Sequence, residues 1–122
     1  MTGVRRFHPY ADILHEVVEH DGVLHLAGVV AEDAGLDMAG QTRDALDQID
    51  RLLAAHGSSR EHLLTALIFV TDMTQKPEMN RVWKEWLAPA HLPTRATIGV
   101  ADLDGYLIEI VVTAAVTTIS MR

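Results

Sequence analysis

Residues 63–70 of this chain read Leu63-Leu64-Thr65-Ala66-Leu67-Ile68-Phe69-Val70, and this apolar run decides the fold. The run is too short for a buried helix and is rich in residues that favour β-structure. It contains one hydroxyl group and no charge. It therefore predicts a β-strand that is buried on both faces.

Helical periodicity lies on both sides of this run. Before it, apolar and small residues recur every 3.6 positions across residues 38–56, with Asp37 as the expected N-cap and Gly57 just past the C-terminus. After it, Pro77 opens a second helix and Pro89 ends it. The second helix is expected to bury its apolar positions in the core: Met79, Val82, Trp83, Trp86 and Leu87.

Four further strands are expected from turn signals and apolar runs. Asp21-Gly22 separates residues 16–20 from residues 23–28 in the way that is typical of a two-residue β-hairpin. Near the C-terminus, residues 96–100 and 107–116 are apolar runs on either side of a short turn. The resulting order is β-β-α-β-α-β-β, in which strand–helix–strand crossovers favour parallel pairing. The sequence thus predicts an α+β fold with one mixed sheet and two helices on one face.

One face of the expected sheet has no helix to cover it. Two helices pack on one face only, yet the strands at residues 63–70 and 107–116 are apolar on both. The second face therefore needs either another copy of the chain or an N-terminal hairpin that folds back over it. We expect a homo-oligomer.

Length, charge and composition exclude several classes of protein. The 122 residues suit a single domain, residues 1–122, without linker or repeat. The absence of cysteine excludes a disulfide scaffold and a thiol nucleophile. A net charge of −7 opposes nucleic-acid binding. No apolar run could span a bilayer and no signal peptide is evident, so we expect a cytoplasmic protein with no membrane partner.

A single carboxylate interrupts the last apolar run, and a single arginine lies immediately before the strand expected at residues 96–100. Glu109 stands within Leu107-Ile108-Glu109-Ile110-Val111-Val112, and Arg95 is the only basic residue between Lys84 and Arg122. If the last two strands are neighbours, these side chains can lie close together. Arg95 can then hold a ligand carboxylate while Glu109 acts as a general base, or the two can form a structural salt bridge.

The seven histidines do not form a metal-binding motif. The segment His15-Glu16-Val17-Val18-Glu19-His20 has neither the HExxH nor the HxxEH spacing, and it reads as a strand. The other histidines are scattered along the chain. We expect no metal site.

Several of these stretches together resemble the RidA/YjgF family, the reactive intermediate deaminases. The resemblance covers nearly the whole chain and is most specific at the arginine and glutamate motifs near the C-terminus. The matching stretches are Leu26-Ala27-Gly28, Gln41-Thr42, Val70-Thr71-Asp72-Met73, Met79-Asn80, Pro93-Thr94-Arg95-Ala96 and Ile108-Glu109-Ile110.

The resemblance implies a chorismate-mutase-like fold and a homotrimer with ligand clefts between subunits. It implies no cofactor. Arg95 would bind the carboxylate of a 2-imino or enamine acid, and Glu109 would position or activate the attacking water. Thr97, through its backbone, and Gly28 are the further substrate-binding positions that the family pattern implies. The implied reaction releases ammonia and leaves a 2-oxo acid.

The chain departs from the family pattern around the expected cleft. Ala27 stands where serine is common, and Val29 stands where glutamine is common. The tyrosine that contacts the ligand in many members has no clear equivalent, because Tyr10 lies too far from Gly28 and the matching spacing gives residues 13–14.

Two functions therefore stay open at this point. One is a deaminase acting on small 2-imino acids, and the other is a non-catalytic trimer that binds a small carboxylate metabolite through Arg95. The endoribonuclease label that some family members carry is opposed by the acidic net charge.

Overall fold

The structure, a computed structural model that describes residues 3–117, is built on one six-stranded sheet. The expected domain, residues 1–122, extends past the described residues at both ends. The strands are β1 (Arg5–Tyr10), β2 (Leu14–His20), β3 (Val23–Leu26), β4 (Leu63–Val70), β5 (Thr94–Gly99) and β6 (Ile108–Ala115). They lie in the order β1-β2-β3-β6-β4-β5, and one helix connects β3 to β4 while a second connects β4 to β5. All neighbours pair antiparallel except β4 and β5, which are parallel, as the crossover predicts.

The N-terminal part contains one strand more than the sequence predicts. The hairpin at Asp21-Gly22 is confirmed, with both residues at the positive φ angles (51° and 79°) that a tight primed turn requires. β1 escaped prediction because it is an exposed edge strand that contains Pro9 and has no apolar alternation. It pairs with β2, so the hairpin extends the sheet. The alternative in which the N-terminal hairpin folds back over the open face is therefore wrong.

Both helices begin where the sequence predicts. The N-cap of α1 (Met38–Ala55) is Asp37, whose carboxylate accepts a 2.8 Å hydrogen bond from the Gly40 backbone N–H. α2 (Lys76–Trp86) has Pro77 in its first turn. α2 ends earlier than expected, because Leu87 is already extended and Pro89 instead opens a short 3₁₀ turn. No helix among residues 3–117 is long and apolar enough to cross a membrane.

The core lies between the helices and one face of the sheet. Along β6, every second residue from Ile108 is buried, and these side chains join the buried residues of α1 and α2 in one cluster. The opposite face stays open in the single chain, where Leu67 and Ile98 are each about 40% exposed. The expectation that β4 is buried on both faces is therefore wrong for one copy, because the helices cover a single face.

Candidate functional site

Arg95 and Glu109 lie on strands that are not neighbours. β4 runs between β5 and β6, so the condition under which the two side chains could lie close together is not met: β6 returns into the sheet between β3 and β4. Arg95 is in register with Ala66, whereas Glu109 is in register with Phe69, three residues further along β4. Residues an odd number of positions apart on a strand point to opposite faces. Arg95 therefore projects on the helix-covered face and Glu109 on the open face.

This separation removes the structural salt bridge that the sequence left open. None of the ion pairs among the described residues contains Arg95 or Glu109. Within one chain, Arg95 and Glu109 thus belong to separate half-sites. No oppositely charged side chain of residues 3–117 forms an ion pair with either of them.

The Arg95 half-site is built against α2. Arg95 Nη2 donates a 2.7 Å hydrogen bond to Asn80 Oδ1, and Arg95 Cζ lies over the Trp83 ring, 5.3 Å from its centre. Partial burial lowers the pKa of Arg95, although a guanidinium stays charged at any physiological pH. Trp83 is core, as expected, and it also forms the surface on which the arginine rests.

The Glu109 half-site depends on a glycine. A β-carbon at Gly28 would lie 2.7 Å from Glu109 Cδ and closer still to a carboxylate oxygen, so no other residue fits there without displacing the carboxylate. Next to Gly28, Val29 pairs with Ile110 through two backbone hydrogen bonds, which fixes this approach. The absence of a side chain at Gly28 thus leaves room for the Glu109 carboxylate, and the family resemblance implies that these two residues belong to one site.

The Glu109 side chain lines a cavity of about 460 Å³ beside the turn between β1 and β2. The wall is mixed, with two carboxylates and a phenol set among apolar side chains and an amide. Its lining consists of Tyr10, Leu14, Glu16, Ala27, Gly28, Val29, Val30, Gln48, Leu52 and Glu109. A cavity of this size suits a small metabolite.

Tyr10 and Glu16 are cavity residues that the sequence reasoning missed. Sequence spacing favours residues 13–14 over Tyr10 as the position beside the ligand. In the structure, Tyr10 is the direct cross-strand partner of Leu14, so the β1–β2 hairpin places the phenol beside the position that the spacing indicates. Recognising β1 would have revealed this, because a tight turn at residues 11–13 brings residues 10 and 14 together.

Thr97 lies two residues from Arg95 and on the same side of β5. Its hydroxyl oxygen is buried and has no hydrogen-bond partner among the described residues. A buried hydroxyl without a partner is costly, and it is the kind of group that a ligand or water satisfies. In the part of the chain that the structure describes, no group of three or more metal-ligating side chains comes together.

Comparisons with known proteins identify the family. The family model described as Endoribonuclease L-PSP matches residues 5–116. A RutC family protein from Haemophilus ducreyi is 36% identical over 102 residues, which cover 83% of this chain and 87% of the relative. The RutC family protein YoaB of Escherichia coli is 35% identical over 102 residues, covering 83% and 89%.

This chain belongs to the RidA/YjgF family. The crystal structure of a YjgF family member from Neisseria meningitidis confirms the fold, with a TM-score of 0.88 at 37% identity over 95% of this chain and 97% of that one. The α+β architecture expected from the resemblance is thereby confirmed.

Within the RidA/YjgF fold, the two half-sites offer complementary chemistry. Arg95 presents an unneutralised planar cation, which suits a carboxylate. Glu109 presents a carboxylate in a small cavity, where it can orient a water molecule or move a proton. Neither half-site alone contains both functions.

Proposed function

We propose that this chain is a cytoplasmic deaminase that hydrolyses small 2-imino or enamine acids to 2-oxo acids and ammonia. The observation that carries the proposal is that Arg95 and Glu109 are both held in place by specific neighbours, yet neither has an ion-pair partner among the described residues. A charge held ready without a partner is available to a ligand.

The site is completed by a second copy of the chain in this proposal. A small substrate cannot touch Arg95 and Glu109 of one chain, because they project from opposite faces of the sheet. The open face carries exposed apolar residues such as Leu67 and Ile98, which a homotrimer would bury. Arg95 of one copy would then close the cavity that contains Glu109 of the next. Light scattering should report a particle of about 40 kDa, and a stable monomer would contradict this arrangement.

The chemistry needs only positioning and proton transfer. Arg95 binds the carboxylate of the substrate, and Glu109 accepts a proton as a water oxygen attacks C2 of the C=N bond. The proton passes to the nitrogen, the C–N bond of the tetrahedral adduct breaks, and ammonia leaves. The second water proton passes from the adduct hydroxyl to this departing nitrogen as the 2-oxo group forms, so the nitrogen leaves as NH3, and the reaction consumes one water and requires no redox partner.

A carboxylate-binding protein without catalysis is the second candidate. Ala27 and Val29 supply apolar wall where serine and glutamine are common in the family, and Leu14 and Leu52 add to it. Apolar residues at these positions leave an attacking water with fewer hydrogen-bond partners than serine and glutamine would supply. The function of such a trimer would be to bind a 2-oxo or related acid through Arg95.

Ammonia release distinguishes the two candidates. An amino acid oxidase generates 2-iminobutanoate in the presence of the protein, and ammonia formation is followed against the spontaneous rate. Acceleration by the wild type that is absent in Arg95→Ala supports the deaminase. Binding of 2-oxobutanoate without acceleration supports the binding protein.

An endoribonuclease activity, which the description of the family model suggests, is disfavoured by charge. A chain with a net charge of −7 repels a phosphate backbone, and binding to RNA gains most of its free energy from neutralised phosphates. Titration with single-stranded RNA at low salt should show no binding. Saturable binding there would redirect the assignment.

A further inference from the structure

Asn80 and Trp83 contact Arg95 from the same side of α2. They are three positions apart, so they lie one above the other on the helix surface. Asn80 Oδ1 accepts the 2.7 Å hydrogen bond from Arg95 Nη2, and Trp83 lies beneath the guanidinium carbon. Because Trp83 is buried in the core, its ring is a fixed surface.

A free guanidinium offers a carboxylate two forks, and both use Nη2. One fork consists of Nε–H with one Nη2 proton, and the other consists of an Nη1 proton with the second Nη2 proton. Asn80 takes one of the two Nη2 protons. A single complete fork of Arg95 therefore remains for a ligand.

The acceptor on Asn80 is an amide, which leaves the charge of the arginine intact. A carboxylate at the same position would neutralise Arg95 and compete with a ligand for it. The amide oxygen orients the guanidinium through one hydrogen bond and adds no negative charge. Arg95 is thus oriented but not neutralised, which a carboxylate-binding group requires.

We propose that Asn80 is the positioning residue of the carboxylate site, committing Arg95 to one fork and so fixing the direction from which a substrate carboxylate is bound. Trp83 supports it by holding the guanidinium from below. The inference rests on the proposed function of Arg95 and specifies it further: the ligand is a planar carboxylate that accepts both hydrogen bonds of that one fork.

Three variants of the full-length protein test this proposal, with calorimetric binding of 2-oxobutanoate as the measurement. Asn80→Asp keeps the shape and the acceptor oxygen but adds the competing charge, and we expect it to weaken binding by about 100-fold. Asn80→Ala frees the guanidinium, and we expect a loss of about 3- to 10-fold. Lys84→Gln is the matched control, because it makes the same change in net charge on an exposed position of α2 and should change affinity by less than about twofold.

A spectroscopic signal separates positioning from a merely structural role. In the wild type, the hydrogen bond to Asn80 should slow rotation of the Arg95 guanidinium, so that its Nη protons give separate NMR signals. In Asn80→Ala these signals should merge while the melting temperature stays close to that of the wild type. Wild-type affinity in Asn80→Asp, or unchanged Arg95 signals in Asn80→Ala, would overturn the proposal.

The same measurements separate this proposal from the proposed function. If the wild type binds 2-oxobutanoate and the Asn80 variants weaken binding as expected, positioning by Asn80 is supported even when no ammonia is released. If the wild type releases ammonia but the Asn80 variants bind 2-oxobutanoate normally, the deaminase assignment stands and the role of Asn80 is refuted. A wild type that neither binds a 2-oxo acid nor accelerates ammonia release overturns both.

Discussion

Two arginines rest on two tryptophans of the same helix, but they donate their hydrogen bonds to different kinds of acceptor. Arg60 lies over Trp86 at 5.1 Å and Arg95 lies over Trp83 at 5.3 Å. Arg60 donates two hydrogen bonds to Asp50, of 3.1 and 2.6 Å, and a third of 2.7 Å to the Trp86 carbonyl oxygen. Arg95 has an amide where Arg60 has a carboxylate.

That difference separates a structural arginine from one that is free to bind. Asp50 also accepts a 2.9 Å hydrogen bond from Trp86 Nε1, so it joins α1, the end of α2 and the turn at Arg60 in one network. The charge of Arg60 is therefore neutralised by an ion pair within the protein. Near-identical stacking on an aromatic ring therefore says little about function. The hydrogen-bond acceptor of the guanidinium decides whether the charge of the arginine is available to a ligand.

The largest expected effect follows removal of the arginine that is free to bind. Arg95→Ala should abolish both 2-oxobutanoate binding and turnover of imines, because no other described residue supplies a cation there. Arg95→Lys should also be poor, since an ammonium lacks the planar fork. The melting temperature should change little, because Arg95 has no ion pair to lose. Turnover at the wild-type rate in Arg95→Ala would show that the comparison assigns the wrong arginine to binding.

The next effect concerns Glu109, to which we assign the proton transfer. Glu109→Gln should retain 2-oxobutanoate binding and slow turnover by roughly 10²- to 10⁴-fold, as expected for a lost acid–base group. The matched control is Glu16→Gln, which removes the other carboxylate of the cavity. Equal losses of turnover in the two variants would mean that cavity charge, and not Glu109 itself, governs the rate.

A smaller effect, on stability alone, is expected at Arg60. Asp50→Ala leaves Arg60 and the Trp86 indole N–H without their shared acceptor, which should lower the free energy of unfolding by about 1–3 kcal/mol. Denaturant titration measures this loss. Turnover per folded molecule should be unchanged, and a loss of turnover equal to that of Arg95→Ala would remove the distinction between the two arginines.

The smallest effect lies at the N-terminal edge, where His8 and His56 face each other. Their Nε2 atoms are 3.0 Å apart, and His8 lies in the left-handed region with φ of 60°. Desolvation is the main cause that lowers the pKa of His56 below its ordinary value of 6.5, and the nearby His8 is the second. The charge of Glu19 opposes this decrease and that of Arg5 adds to it.

Because the folded state disfavours protonated His56, the unfolded chain takes up the proton first as the pH falls. Stability should therefore be greatest above pH 6.5 and decline as the pH falls through the lowered folded-state pKa. The decrease in melting temperature between pH 7.5 and 5.5 should be smaller in His56→Gln than in the wild type. The control His91→Gln, at an exposed position, should retain the wild-type decrease, and an identical decrease in all three proteins would show that this pair contributes nothing.

The elements that the sequence predicted well are those with strong local signals. β4 has the predicted bounds because a short apolar run leaves few alternatives, and the Asp21-Gly22 turn and the Asp37 cap are local motifs. β1 was missed because an exposed edge strand buries too little apolar surface to leave a pattern.

The geometry of the site could not be predicted because it depends on long-range pairing. Arg95 and Glu109 were identified as residues of interest from their isolation in apolar surroundings and from the family pattern. Their placement on opposite faces follows from the insertion of β6 between β3 and β4, which no local signal indicates. The position of Tyr10 depends in the same way on a strand that the sequence did not reveal.

The opposite faces of Arg95 and Glu109 have a consequence for mixed assemblies. In a three-membered ring in which each site takes its arginine from one subunit and its glutamate from the next, two different inactive chains can restore each other. Any ring that mixes Arg95→Ala with Glu109→Gln subunits contains one site with both native groups. Random equal mixing would then recover about a quarter of the wild-type turnover from two preparations that have almost none. In a cell that carries both alleles, neither defect would be complete.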